Sequence, residues 1–347
     1  MSPIYNFCAG PGMLPPEVVE HLREDLLRWG DASCGLLEVS HRTRLYSELK
    51  SAAEANLHKL LNLDHRYTIL LLQGGASGQF AMLPYNFLRS GDCANYLVRG
   101  YWSEKAAQQA ARIARVRVLR HWDEVPDAHA VYTHLTTNET ISGTALPQAI
   151  TLGGMPLCAD MSSDILSAPR DYTKYALFYA GAQKNLGVAG LSVVVAEKEF
   201  LSHARRNLPA AFCYLEHTKA NGLYHTPNTF AVNALRHITN WMLACGLETL
   251  WQQNQRKAEK LYATLDQSAF WRPIAPENER SITNVTFRLP SQALEELFLS
   301  EAEKEGLIAL KGHRSQGGIR ASLYNAMPES GVDKLTTFMR EFERTHG

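Results

Sequence analysis

Apolar and polar positions follow two rhythms along this chain. Between positions 17 and 29, Val18, Val19, Leu22, Leu26 and Leu27 recur every three or four residues, which predicts a helix, and 45–63 repeats the rhythm. The pattern then turns continuous: YTILLL at 67–72 is an unbroken apolar run, stopped by QGGASGQF. Further runs of this kind are ANYLVRG (94–100), AVYTHL (130–135), MPLCAD (155–160), ALFYAG (176–181) and LSVVVA (191–196), with a helical stretch at 103–114 among them. Any single run reads equally as a strand or as buried helix. Their Val, Ile and Tyr content and the Gly and Pro between them favour strands. Unbroken apolar strands separated by helices predict an α/β fold with a mostly parallel sheet covered on both faces.

Beyond about residue 225 the rhythm changes. Two long helices are expected at 230–245 and 247–268, meeting at Gly246. After them an alternating strand (281–289), a helix ending at Gly306 (291–306), a strand (317–325) and a last helix (332–345) give an α+β piece. The expected division is a large domain over 15–250 and a small one over 251–347, joined by the segment 1–14.

Composition narrows the function. Lys+Arg and Asp+Glu are both 35, so the net charge is zero, which argues against a nucleic-acid binder or a polybasic membrane anchor. No apolar run approaches the roughly 18 residues of a membrane span. The start, MSPIYNFCAGPGMLPPE, has neither the basic region nor the apolar core of a secretory leader. The six cysteines are scattered without a CxxC pair. They read as reduced thiols of a cytoplasmic protein, with no metal site.

Three features carry candidate chemistry. Lys184 stands in YAGAQKNLGVAG between two apolar strands. It is either a surface lysine or a desolvated amine with a lowered pKa, suited to a Schiff base. Asp160 ends an apolar strand in PLCADMSSDIL. It reads as a turn residue or as a carboxylate at the ligand-binding edge of a parallel sheet, there to pair a cationic ring nitrogen. QGGASGQF follows a strand and opens a helix, as a plain turn or as a backbone anion site. Trp102 in GYWSEKA reads as core or as a ring to stack on, and Thr140 in TTNETISG as a turn residue or a hydrogen-bonding group.

Together these pieces fall in the order of fold-type-I pyridoxal-phosphate enzymes. AGPGMLP (9–15), EVSHR (38–42), GYW (100–102), NETISG (138–143), YAGAQKNLG (179–187), KGHRSQGGIRASLYNAMP (311–328) and the closing FMREFERTHG closely resemble the phosphoserine aminotransferase family, from end to end of the chain. The resemblance implies a seven-stranded, mostly parallel sheet and pyridoxal 5'-phosphate as cofactor. Lys184 would carry the cofactor and shuttle a proton. Asp160 would pair with the ring nitrogen, Trp102 would stack on the ring, and Thr140 would bond near its 3-oxygen. Ala76, Ser77 and Gln183 would hold the phosphate, completed across a homodimer interface by His225 and Thr226. On the substrate side, Arg320 would take the α-carboxylate, and His41, Arg42, His313 and Arg314 the distal phosphate or the γ-carboxylate of glutamate, with Ala9 beside them. The reaction implied is transamination of 3-phosphohydroxypyruvate by glutamate. A relative acting on another phosphorylated or phosphonate keto acid is the alternative. One departure stands out: His225-Thr226-Pro227-Asn228 replaces the family's usual Asn-Thr-Pro-Pro.

Overall fold

The computed structural model describes residues 3–147, 150 and 152–347. Its main sheet has seven strands: β1 (Tyr67–Gln73), β2 (Cys93–Leu97), β3 (Arg115–Leu119), β4 (Thr133–Thr136), β5 (Leu157–Asp160), β6 (Leu177–Gly181) and β7 (Leu191–Glu197). Their order is β1-β7-β6-β5-β4-β2-β3. β3, β2, β4, β5 and β6 pair parallel to their neighbours, while β7 runs antiparallel to both β6 and β1. Successive residues of one strand enter different cores, as the pleat requires. Ile69, Leu71, Phe178, Ala180, Val193 and Val195 join one apolar cluster, and Leu70, Leu72, Leu177, Tyr179 and Val194 join another. The first is covered by helices α1 (Pro16–Leu27), α2 (Arg44–Leu60) and α5 (Thr229–Cys245), the second by α3 (Ala76–Phe87) and α4 (Tyr101–Ala110).

Most expected elements are present with ends shifted by a few residues. β3 was not expected. Its RVRVL alternates exposed arginines with better-shielded valines on an edge, too weak a signal beside the unbroken central strands. The helix expected at 103–114 starts earlier, at Tyr101, because a distant acid, Glu139, satisfies its first N–H groups.

The core changes later than the rhythm: α5 still belongs to the first cluster, and the switch comes only after Leu250. Helix α6 (Leu247–Asp266) places Leu250 in the first cluster but Ala258, Leu261 and Leu265 in a third. That third core packs α6 with α7 (Gln292–Lys304), α8 (Glu329–His346), Tyr5, Phe7 and a three-stranded antiparallel sheet of β8 (Arg272–Pro273), β9 (Asn284–Arg288) and β10 (Ile319–Ser322). On β10, Ile319 and Ala321 are fully buried in this core. The pleat therefore sends Arg320 to the opposite face, toward the large sheet.

A buried cation ties the two parts. Lys257 on α6 is 1% exposed and donates to the carbonyls of Leu323 (3.1 Å), Tyr324 (2.8 Å) and Met327 (2.9 Å). Asn254, one turn earlier, donates to Asn325 Oδ1 (2.8 Å) and Ser167 O (2.8 Å). Burial pushes the Lys257 ammonium from its ordinary 10.5 down to about 7, with Glu329 opposing. Between those values the unfolded chain binds a proton that the folded chain has released, so this group's contribution to stability rises with pH across that window. Lys257→Met is expected to lower stability by about 2–4 kcal/mol through the orphaned carbonyls, and to lack this pH slope. Urea titrations of both cofactor-free proteins across the window check it. A wild-type-minus-variant difference that does not grow with pH would count against the assignment.

Candidate active site

The register aligns the carboxyl ends of three strands: Thr136 on β4 lies opposite Asp160 on β5, and Asp160 opposite Tyr179 on β6. Chain leaving this edge carries the candidate chemistry. Between β6 and the antiparallel β7 the backbone reverses in a closed turn, with Ala182 N–H bonded to Leu191 O (2.9 Å) and Leu186 N–H to Ala182 O (3.1 Å). Lys184 sits inside this turn, half-buried. Its neighbour Asn185 donates to Ile165 O (3.0 Å) and accepts the Asn325 N–H (3.1 Å), which anchors the turn to both parts of the molecule.

The N-terminal segment lies against this lysine. Gly12 N–H donates to Gln183 O (2.8 Å), and Tyr324 Oη donates to Ala9 O (2.7 Å). A Cβ at Gly12 would lie 2.8 Å from the Tyr324 ring and 3.0 Å from the Lys184 carbonyl, so this approach requires glycine. Ala9, Gln183 and Lys184 are thus brought together.

Asp160 is 5% exposed. Ser162 donates to its Oδ1 through both N–H (2.9 Å) and Oγ (2.5 Å), and Oδ2 receives no hydrogen bond among the described residues. Burial pushes the Asp160 carboxyl up, while the Lys184 charge and the Ser162 bonds pull it down. Burial pushes the Lys184 ammonium down; Asp160 opposes the shift and Arg320 adds to it. Each charge thus opposes the shift that burial imposes on the other.

Trp102 stands on the first turn of α4 with its indole Nε1 donating to Thr140 Oγ1 (2.9 Å). The Thr140 carbonyl accepts from Arg320 Nη1 (3.3 Å). Arg320, His313 and Arg314 are neighbours: burial, then the charges of Arg320 and Arg314, hold the His313 imidazole below its usual value. The His313 ring lies 5.3 Å from that of Tyr101, the residue before Trp102. The glycine stretch delivers Ala76 and Ser77 to the start of the 12-residue helix α3, where no side chain caps the free N–H groups. This helix start is half-buried to exposed.

A second group lies elsewhere in the chain. His41, Arg42, His225 and Thr226 line one cavity of about 260 Å³. The Thr226 carbonyl accepts from Gln73 Nε2, at the mouth of the glycine turn of the same chain. His225 packs against His217 and Tyr224, and its Nδ1 is buried without a partner among the described residues. His41 and Arg42 are expected beside His313 and Arg314, yet no hydrogen bond, ion pair or ring contact among the described residues joins the two groups. Two residues close to the chemistry had no role assigned from sequence, Tyr324 and Glu139. Both lie inside recognisable stretches, but their partners, at Ala9 and on α4, are too distant along the chain for any local signal to mark them.

Comparisons with known proteins bear on the family and the fold. The aminotransferase class-V family model matches residues 4–335. A phosphoserine aminotransferase of Herpetosiphon aurantiacus is 42% identical over 358 aligned positions, covering 99% of each chain. The solved structure of phosphoserine aminotransferase from Bacillus circulans subsp. alkalophilus superposes with a TM-score of 0.96 at 40% identity, covering 99% of both chains. A PLP-bound phosphoserine aminotransferase from Trichomonas vaginalis superposes with a TM-score of 0.92 at 32% identity, over 97% of this chain and 100% of that one. The family match over nearly the whole chain, the full-length similarity to these proteins and the shared α/β fold place the chain in the class-V aminotransferases, within the phosphoserine aminotransferase family.

Proposed function

We propose that this chain transfers the amino group of L-glutamate to 3-phosphohydroxypyruvate, giving O-phospho-L-serine and 2-oxoglutarate, the aminotransferase step of serine biosynthesis. The observation that carries this reading is the placement of Asp160, the Lys184 turn and Arg320 about one sheet edge, in a chain similar from end to end to phosphoserine aminotransferases. The site suits pyridoxal phosphate on its own chemistry. It holds an amine made freer by burial, a buried acid with an uncommitted oxygen, a braced indole and an uncapped helix start. When bound, that cofactor supplies a carbonyl for amine exchange and an electron sink for charge at the substrate Cα.

The chain's own residues do the rest. Burial lowers the proton affinity of Lys184 Nζ, which makes it the base that takes a proton from the substrate Cα and returns it. Asp160 would hold the cofactor's ring nitrogen protonated, and Trp102 would cover the ring. Thr140 braces the indole and would hydrogen-bond toward the ring's oxygen. Ala76, Ser77 and Gln183 would take the phosphate. Arg320 clamps the α-carboxylate with its planar fork. The two substrates use one site in turn, so ping-pong kinetics follow.

The working unit in this reading is a homodimer in the cytoplasm. His41, Arg42, His225 and Thr226 line a cavity that includes neither Lys184 nor Arg320, and in this reading a second copy would bring the two groups together. Beside the open glycine turn a cavity of about 600 Å³ is lined by Met82, Tyr85, Ile113 and Phe212, and Phe212 is 51% exposed. Such a face suits burial against a second copy. None of the six cysteines is paired, which fits a reducing compartment. No described helix is long and apolar enough to cross a membrane.

Lys184→Ala is expected to abolish turnover while leaving the fold intact, and turnover retained by that variant would refute the role. In the cofactor-free protein an amine-directed acylating reagent near neutral pH should label Lys184 faster than exposed Lys59, read by peptide mass spectrometry. Equal labelling would contradict the lowered proton affinity. The substrate is tested by adding L-phosphoserine, L-serine or L-glutamate to the loaded protein and following the cofactor's absorbance. Phosphoserine and glutamate are expected to convert it, with phosphoserine effective at far lower concentration than serine. Conversion by glutamate alone would keep the chemistry and reject the acceptor.

A further inference from the structure

Glu139 is a buried acid that the transamination chemistry leaves unused. It is 2% exposed and makes no ion pair among the described residues. Its carboxylate is spent on the first turn of α4. Oε2 accepts the Trp102 N–H (3.0 Å), and Oε1 accepts the Ser103 N–H (2.8 Å) and the Ser103 hydroxyl (2.6 Å). The same hydroxyl accepts the N–H groups of Arg99 and Gly100 (3.0 Å each). A charged acceptor on the free N–H groups of a ten-residue helix is a strong hold, because the helix dipole and the charge reinforce it. The fit is close: a Cβ at Gly100 would stand 2.5 Å from the Glu139 carboxyl carbon, so only glycine fits beneath the acid.

The next residue in the chain, Thr140, holds the other end of Trp102 through the indole N–H (2.9 Å). Glu139 and Thr140 therefore grip one tryptophan at its backbone and at its ring. The ring's other neighbours, Tyr101 and Phe80, are aromatic contacts at 5.1 and 6.5 Å between centroids, without directional bonds. We propose that Glu139 is a positioning residue that sets the Trp102 indole against the cofactor ring and thereby governs how long the cofactor is retained. The inference rests on the reading of Trp102 as the ring's stacking partner.

Glu139→Gln keeps the shape but removes the charge and turns a donor toward donors. It is expected to release pyridoxal phosphate about tenfold to a hundredfold faster than wild type, from the loss of charge-assisted bonds. The visible circular dichroism of the bound cofactor, which reports ring orientation, should weaken as well. A role in stability alone would lower the melting temperature and leave that dichroism intact, and this outcome overturns the inference. Trp102→Ala is measured in parallel. If it releases the cofactor faster while Glu139→Gln behaves as wild type, the inference fails and the reading of Trp102 stands. If Trp102→Ala itself retains the cofactor normally, both fail. Should Glu139→Gln not fold, Ser103→Ala decides: release about threefold to tenfold faster supports the inference, and unchanged release overturns it.

Discussion

The structure turns on two opposite charges, Lys184 and Asp160, withdrawn from water at one edge of a sheet. Desolvation pushes each toward its neutral form, and the charge of the other opposes that shift. The elements around them fix both positions. Parallel pairing fixes where β5 ends and presents Asp160 level with Thr136 and Tyr179. The antiparallel return of β7 closes the turn that carries Lys184. Asn185 then pins that turn to segments on both sides.

The smaller part of the molecule is more than an appendage to this edge. Its third core buries alternate residues of β10, which leaves Arg320 no face but the one toward the large sheet. The buried ammonium of Lys257 gathers three carbonyls of the following segment. That segment supplies Tyr324 to the N-terminal segment at Ala9 and Asn325 to the lysine turn. Arg320 on β10 and the Lys184 turn are thus linked through hydrogen bonds that are nearly all buried, where an unmade bond is expensive.

Two groups of polar residues line different parts of one chain. Arg320, His313 and Arg314 adjoin the Trp102 side, while His41, Arg42, His225 and Thr226 share a cavity of their own. In the proposed reaction a carboxylate and a phosphate at opposite ends of a small molecule would call for two such groups. The helix start at Ala76 carries no side-chain cap, and an apolar cavity lies beside it.

The sequence alone determined the elements and the chemistry of individual positions. Unbroken apolar runs identified the central strands because those strands are buried on both faces. Glycine at 246 and 306 marked helix ends, both observed at positive φ. Lys184 and Asp160 were legible as candidates because each is a polar residue out of place in an apolar context. Only the tertiary structure decided which residues meet. The edge strand β3 escaped notice because its alternation is local and weak. The grip of Glu139 on Trp102, the bond from Tyr324 to Ala9 and the separation of His41 from His313 all join or part residues far from one another along the chain. No periodicity records such a relation. It is set by strand register, by the side of a pleat a residue occupies, and by which buried donor finds an acceptor once the cores have closed.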